Sequence, residues 1–129
     1  DRGKIMANPN IVGVTSIYGK TTYKALTASL VTQLTNSASS GAIVKLNCIR
    51  VTNNNGIDDG SVTIALDGSS GTPTGTSNLA STLPVPADST VIILGKDAPI
   101  YLEEGWFIQA SGQGTSMDMD CIISYEVIS

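Results

Sequence analysis

Apolar and polar residues alternate with a period of two along several stretches of the chain. This is the pattern of strands that keep one face in a core and one in solvent. The clearest stretch runs from Met117 to Ile128. Met117, Met119, Cys121, Ile123, Tyr125 and Val127 share one face, and Asp118, Asp120, Ser124 and Glu126 share the other, which Ile122 and Ile128 interrupt. Ser61 to Asp67 alternates in the same way, with Val62, Ile64 and Leu66 inward. The strongest strand, Ala42 to Thr52, changes phase midway. Leu46 and Cys48 fall on one face, Ile49 and Val51 on the other, so a bulge or burial on both faces is expected. Further strands are expected over 11–18, 21–26, 30–34, 90–94, 100–102 and 106–110. Leu83-Pro84-Val85-Pro86 is expected as an extended sheet edge, because Pro cannot donate to a ladder. Residues 24–34 fix no single period. A helical turn fits there better than elsewhere, but the β-branched residues argue for strand.

Breakers divide these stretches. Gly19-Lys20, 36–41, 95–99 and 111–116 read as turns or loops. Residues 53–60 carry the Asn and Gly that accept the positive φ of hairpin loops. Glu103-Glu104-Gly105 reads as the tip of a short hairpin. Gly68 to Ser81 is mostly Ser, Thr and Gly, and is expected to be a long exposed loop. Eight or nine short strands at this spacing predict an all-β fold. The expected form is a single antiparallel β-sandwich or small barrel, jelly-roll-like or Ig-like, over residues 11–129. Asn8-Pro9-Asn10 separates it from an extended N-terminal arm over residues 1–10. Met6 reads as a natural start, which leaves residues 1–5 as an upstream extension or a product of processing.

Composition supports this fold. Ser, Thr, Gly and Asn make up 50 of the 129 residues, and Ile plus Val number 23 against nine Leu. The chain has no His, which removes Ser-His-Asp triads, Cys-His pairs and the commonest metal ligand. Its net charge is −4, and Arg2, Lys4, Lys20, Lys24, Lys45, Arg50 and Lys96 are scattered, so neither nucleic acid nor an anionic membrane is an expected partner. No run of 18 apolar residues exists to span a membrane, and Asp1 to Ile5 lacks the apolar run of a signal peptide.

Cys48 and Cys121 form no CxxC motif. Separate buried thiols are the leading expectation, ahead of an intrachain disulfide or a bridge to another subunit. The pairs Asp58-Asp59 and Glu103-Glu104 read as solvated turns, since neighbours on a strand point to opposite faces. Asn53, Asn55, Asp58 and Asp59 could offer oxygens to Ca²⁺ but break the EF-hand spacing. Asp118 and Asp120 share a face and could meet a metal at an interface. No cofactor is expected, and an enzyme is not. Trp106 and Phe107 are strand neighbours, so one ring faces the core and the other faces out. An outward ring beside Ile122 and Ile128 would mark an interface.

The stretch from Lys96 to Gly105 (KDAPIYLEEG) and the ending Ser124 to Ser129 (SYEVIS) resemble small virion structural proteins of marine tailed phages, notably cyanophages. Val85 to Thr90, and Leu34 to Gly41 leading into Val44 to Asn47, are similar to the same group. Trp106 departs from it, where a small or polar residue is expected. The resemblance implies a non-enzymatic virion protein without naming its location; the expected location is the exterior of the particle, with assembly in the host cytoplasm. The expected role is a capsid decoration or cement protein that binds the major capsid protein, or another virion protein, through repeated weak contacts. A homo-oligomer is expected, with a trimer favoured. A tail, neck or fibre component is the alternative, and a secreted carbohydrate-binding β-sandwich a second. Candidate contact residues are Arg2, Lys4, Ile5, Asn8 and Pro9 in the arm, Thr72, Pro73 and Thr74 in the loop, and Phe107, Ile122 and Ile128 on strands.

Overall fold

The alternating stretches become nine strands in the computed structural model, which describes residues 13, 15–68 and 76–129. In chain order these are β1 (Ile17–Ala25), β2 (Val31–Thr35), β3 (Ile43–Asn53), β4 (Gly60–Asp67), β5 (Thr76–Val85), β6 (Thr90–Leu94), β7 (Ile100–Leu102), β8 (Phe107–Gly114) and β9 (Met119–Ile128). They form two antiparallel sheets packed as a sandwich. The five-stranded sheet has the order β1-β9-β3-β6, with β7 also on β3, and the four-stranded sheet has the order β2-β8-β4-β5. β6 meets Ile49–Thr52 and β7 meets Val44–Leu46, so these short strands lie end to end along one side of β3. The expected all-β sandwich is the observed architecture. Its sheets stay separate and do not close into a barrel.

The phase change in β3 is a bulge. The register against β9 shifts between Leu46 and Cys48, which makes Asn47 the extra residue. Leu46, Ile49 and Val51 then all point inward and are fully buried, while Cys48 is moved to the outer face and half-buried. The core closes between these residues, Met119, Cys121 and Ile123 of β9, and Val62, Ile64, Ile108 and Ala110 of the facing sheet. Each buried aliphatic side chain contributes roughly 1.5–3 kcal/mol.

Five expectations are corrected by pairing between distant segments. Gly19-Lys20 is not a turn, because β1 runs through it in continuous register with β9. Residues 53–60 are not a hairpin: they carry the chain from β3 in one sheet to β4 in the other, and none of them has positive φ. Glu103-Glu104-Gly105 likewise joins β7 in one sheet to β8 in the other. The expected loops over 68–81 and 111–116 shrink, since Thr76–Ser81 belongs to β5 and Ser111–Gly114 to β8. Gly112 gives the physical reason for the last difference. A Cβ there would lie 2.8 Å from Met119 Cε, so this glycine makes room for the core and does not mark a turn.

Candidate interaction surface

Antiparallel register places directly opposed residues on the same face. On the outer face of the five-stranded sheet one row runs across four strands: Tyr23 of β1, Ile122 of β9, Arg50 of β3 and Ile92 of β6. Tyr23 is 77% exposed and Ile92 63%, Arg50 is exposed and Ile122 is half-buried. Polar rows flank it. On one side lie Ala25, Asp120, Thr52 and Thr90, with the Thr52 and Thr90 hydroxyls 3.0 Å apart. On the other lie Thr21, Ser124 and Cys48, and beyond them Gly19, Glu126, Lys45 and Tyr101. An apolar row with an arginine in it and polar residues around it has the composition of a protein-binding patch.

The opposite outer face differs. Its rows hold Thr35, half-buried Phe107, Asp67 and Thr76, then Thr32, Gln109, Ala65 and Asn78, then Ser111 and Thr63, then Gln113, Ser61 and Pro84. An open cleft at this edge is lined by Asp59, Gly60, Ser61, Thr82, Pro84, Gln113 and Gly114, without an aromatic ring.

The candidate contact residues are distributed as follows. Arg2, Lys4, Ile5, Asn8, Pro9, Thr72, Pro73 and Thr74 lie outside the described residues. Ile122 sits in the apolar row. Ile128 is on the same side of β9 but is only 4% exposed, register-paired with Ile17 and with buried Ile43, so it is not available as a contact. Phe107 is half-buried on the other sheet, between Thr35 and Asp67, and is therefore not the ring beside Ile122. That ring is Tyr23. Sequence reasoning missed Tyr23, Arg50 and Ile92 because only the register joins them across 70 positions of chain. Trp106 packs against the core.

The polar clusters hold the scaffold together. Asn53, 1% exposed, donates through Nδ2 to the carbonyls of Val85 (3.0 Å) and Asp58 (3.1 Å) and accepts from the Asn55 N–H. Asn55 accepts from the N–H groups of Ile57 and Asp58 and donates to the carbonyls of Thr115 and Ser116. Asp118 and Asp120 do converge, but on the Asn54 amide, 3.5 and 3.0 Å away. Asp59 accepts from the Ala87 N–H. Among the described residues, no group of three or more Cys, Asp or Glu gathers to hold a metal.

The Glu103-Glu104 turn is not evenly solvated. Glu104 is 3% exposed, one carboxylate oxygen accepts from the Gly41 N–H, and Oε1 has no partner among the described residues. Beside this turn, Asn36 donates to the carbonyls of Ala42 and Leu102, both at 2.9 Å, and its backbone bonds Trp106 and Gly105. Both cysteines are free thiols on opposite faces of the five-stranded sheet, and burial pushes the Cys121 thiol up to about 12.

Fold and surface together define a two-sheet β-sandwich with one mostly polar outer face and one that carries an apolar row. No protein family, characterised protein or solved structure matches the chain.

Proposed function

We propose that this chain is a non-enzymatic structural protein of a phage virion, a capsid decoration protein that lays the outer face of its five-stranded sheet on the shell. The observation that carries the reading is the Tyr23–Ile122–Arg50–Ile92 row, set on a sheet whose counterpart on the other side of the molecule is mostly polar. The resemblance of residues 96–105 and 124–129 to small phage virion proteins supports the setting, with the major capsid protein as partner. A small patch gives modest affinity per copy, and repetition over a shell raises it through avidity.

Cryo-EM of the virion tests this reading. Hundreds of copies at icosahedral positions, with Ile92 facing the shell protein, are expected. A handful of copies at one vertex or along the tail would replace decoration with a tail or neck role. Ile92→Asp is expected to lower shell occupancy roughly tenfold at limiting protein without changing the fold, because it puts a charge into the apolar row.

A further inference from the structure

We infer that β1 pairs with β1 of a second copy, antiparallel about a twofold axis through Thr21, to join two five-stranded sheets edge to edge. The inference needs no shell, although Tyr23 serves both it and the virion reading.

The edges of the two sheets are not alike. β2 and β6 have five residues each, and each has a register shift. β7 has three residues. β5 is longer but carries Pro84 and two register shifts. Short length, proline and bulges are the usual means by which sheet edges avoid other chains. β1 has none of them. It pairs with β9 over nine residues, Ile17 to Ala25, without a shift, and among the described residues no strand pairs with its other side. Ile17, Tyr18 and Tyr23 on it are 57%, 60% and 77% exposed.

Gly19 points to another chain. Glycine inside a strand is destabilising relative to alanine. Gly19 does not have positive φ, and a Cβ built on it would meet nothing within 4 Å. Among the described residues of one copy, nothing requires this glycine. A strand glycine also marks where another backbone or ring approaches closely. In the register centred on Thr21, Gly19 of each copy lies opposite Tyr23 of the other, so two rings cover two glycines, the arrangement by which aromatic residues compensate strand glycines.

Lys20 and Lys24 select that register. A twofold pairing that continues the sheet keeps outer face with outer face, so registers change in steps of two residues. Centring on residue 20 opposes Lys20 to itself, and centring on residue 22 opposes Lys20 to Lys24, both unfavourable. Centring on Thr21 opposes Lys20 to Thr22 and Lys24 to Tyr18, and it alone pairs all nine residues. Lysines that would otherwise protect the edge therefore admit one partner alignment and disfavour its neighbours. The contact is isologous and closes as a dimer, in contrast to the trimer expected above.

Sedimentation velocity across a concentration series tests the pairing, with a concentration-dependent monomer–dimer equilibrium expected. Thr21 is exposed and opposes only itself in this register, so T21E and T21K should each raise the dimer dissociation constant roughly fivefold or more by like-charge opposition. An equimolar mixture of the two should recover the dimer. G19V should fold with unchanged or higher thermal stability, because its side chain enters open space, yet it should weaken the dimer by blocking Tyr23 of the partner copy. T32E, on the edge strand of the other sheet, should leave the dimer intact. A chain that stays monomeric at millimolar concentration, a trimer, or a dimer indifferent to T21E and G19V would each overturn the inference. None of these outcomes bears on shell binding through Ile92.

Discussion

Three consecutive asparagines, Asn53, Asn54 and Asn55, bolt one end of the sandwich, each to a different segment. Asn53 holds the end of β5, Asn54 the start of β9, and Asn55 the loop before it. An amide suits this work because it donates and accepts at once. Asn53→Ala would leave the buried carbonyl of Val85 without its side-chain donor and is expected to destabilise the fold by about 2–3 kcal/mol in urea denaturation. Asn53→Asp should be worse, since a carboxylate would face the same carbonyls with nothing to donate. Cys121 gives a pH signature. Its folded pKa of about 12 lies above the unfolded value of 9.0, so folding favours the thiol. That contribution is complete below pH 9 and is lost as pH rises from 9 toward 12. Thermal melts over this window should show the wild-type chain losing more stability than Cys121→Ala, with a difference that shrinks to a constant below pH 9. Thiol labelling of the native protein should modify Cys48 before Cys121, and rapid labelling of both would contradict the inward placement of Cys121.

Strands were legible where side-chain volume alternated. The inward faces of β4 and β9 follow directly from Val62, Ile64 and Leu66 and from Met119, Cys121 and Ile123. The bulge in β3 was legible as well, because an apolar phase that flips needs an extra residue to restore it. The strand ends rich in small polar residues were not. Thr76–Ser81 and Ser111–Gly114 have the local character of loops, and what makes them strand is the ladder offered by β4 between them. Composition describes the residue, whereas the ladder depends on the neighbour. Gly112→Ala tests this point. It should cost stability through collision with Met119, whereas a loop glycine in ordinary conformation would tolerate the change, and the midpoint of chemical denaturation distinguishes the two.

At the scale of the whole molecule, the described strands change sheet six times, at β1–β2, β2–β3, β3–β4, β5–β6, β7–β8 and β8–β9. Only β4 and β5 are both consecutive in sequence and paired in the same sheet. Native pairing is therefore dominated by distant segments, and loop-closure entropy must be met before those pairs form. Refolding followed through Trp106, the single tryptophan, should take milliseconds to seconds. A microsecond phase that recovers the full signal would contradict this topology.

By itself the sequence determined that the chain is all-β, where most strands lie and which of their faces is inward. These properties depend on residue volume and polarity at a period of two, which are written locally. Tertiary structure decided which breakers are hairpins and which are crossings between sheets, which glycines make room for a neighbour, and which exposed residues form one surface. Tyr23, Ile122, Arg50 and Ile92 become a single row only through the registers of β1, β9, β3 and β6. Register is a relation between strands, and no strand carries it alone.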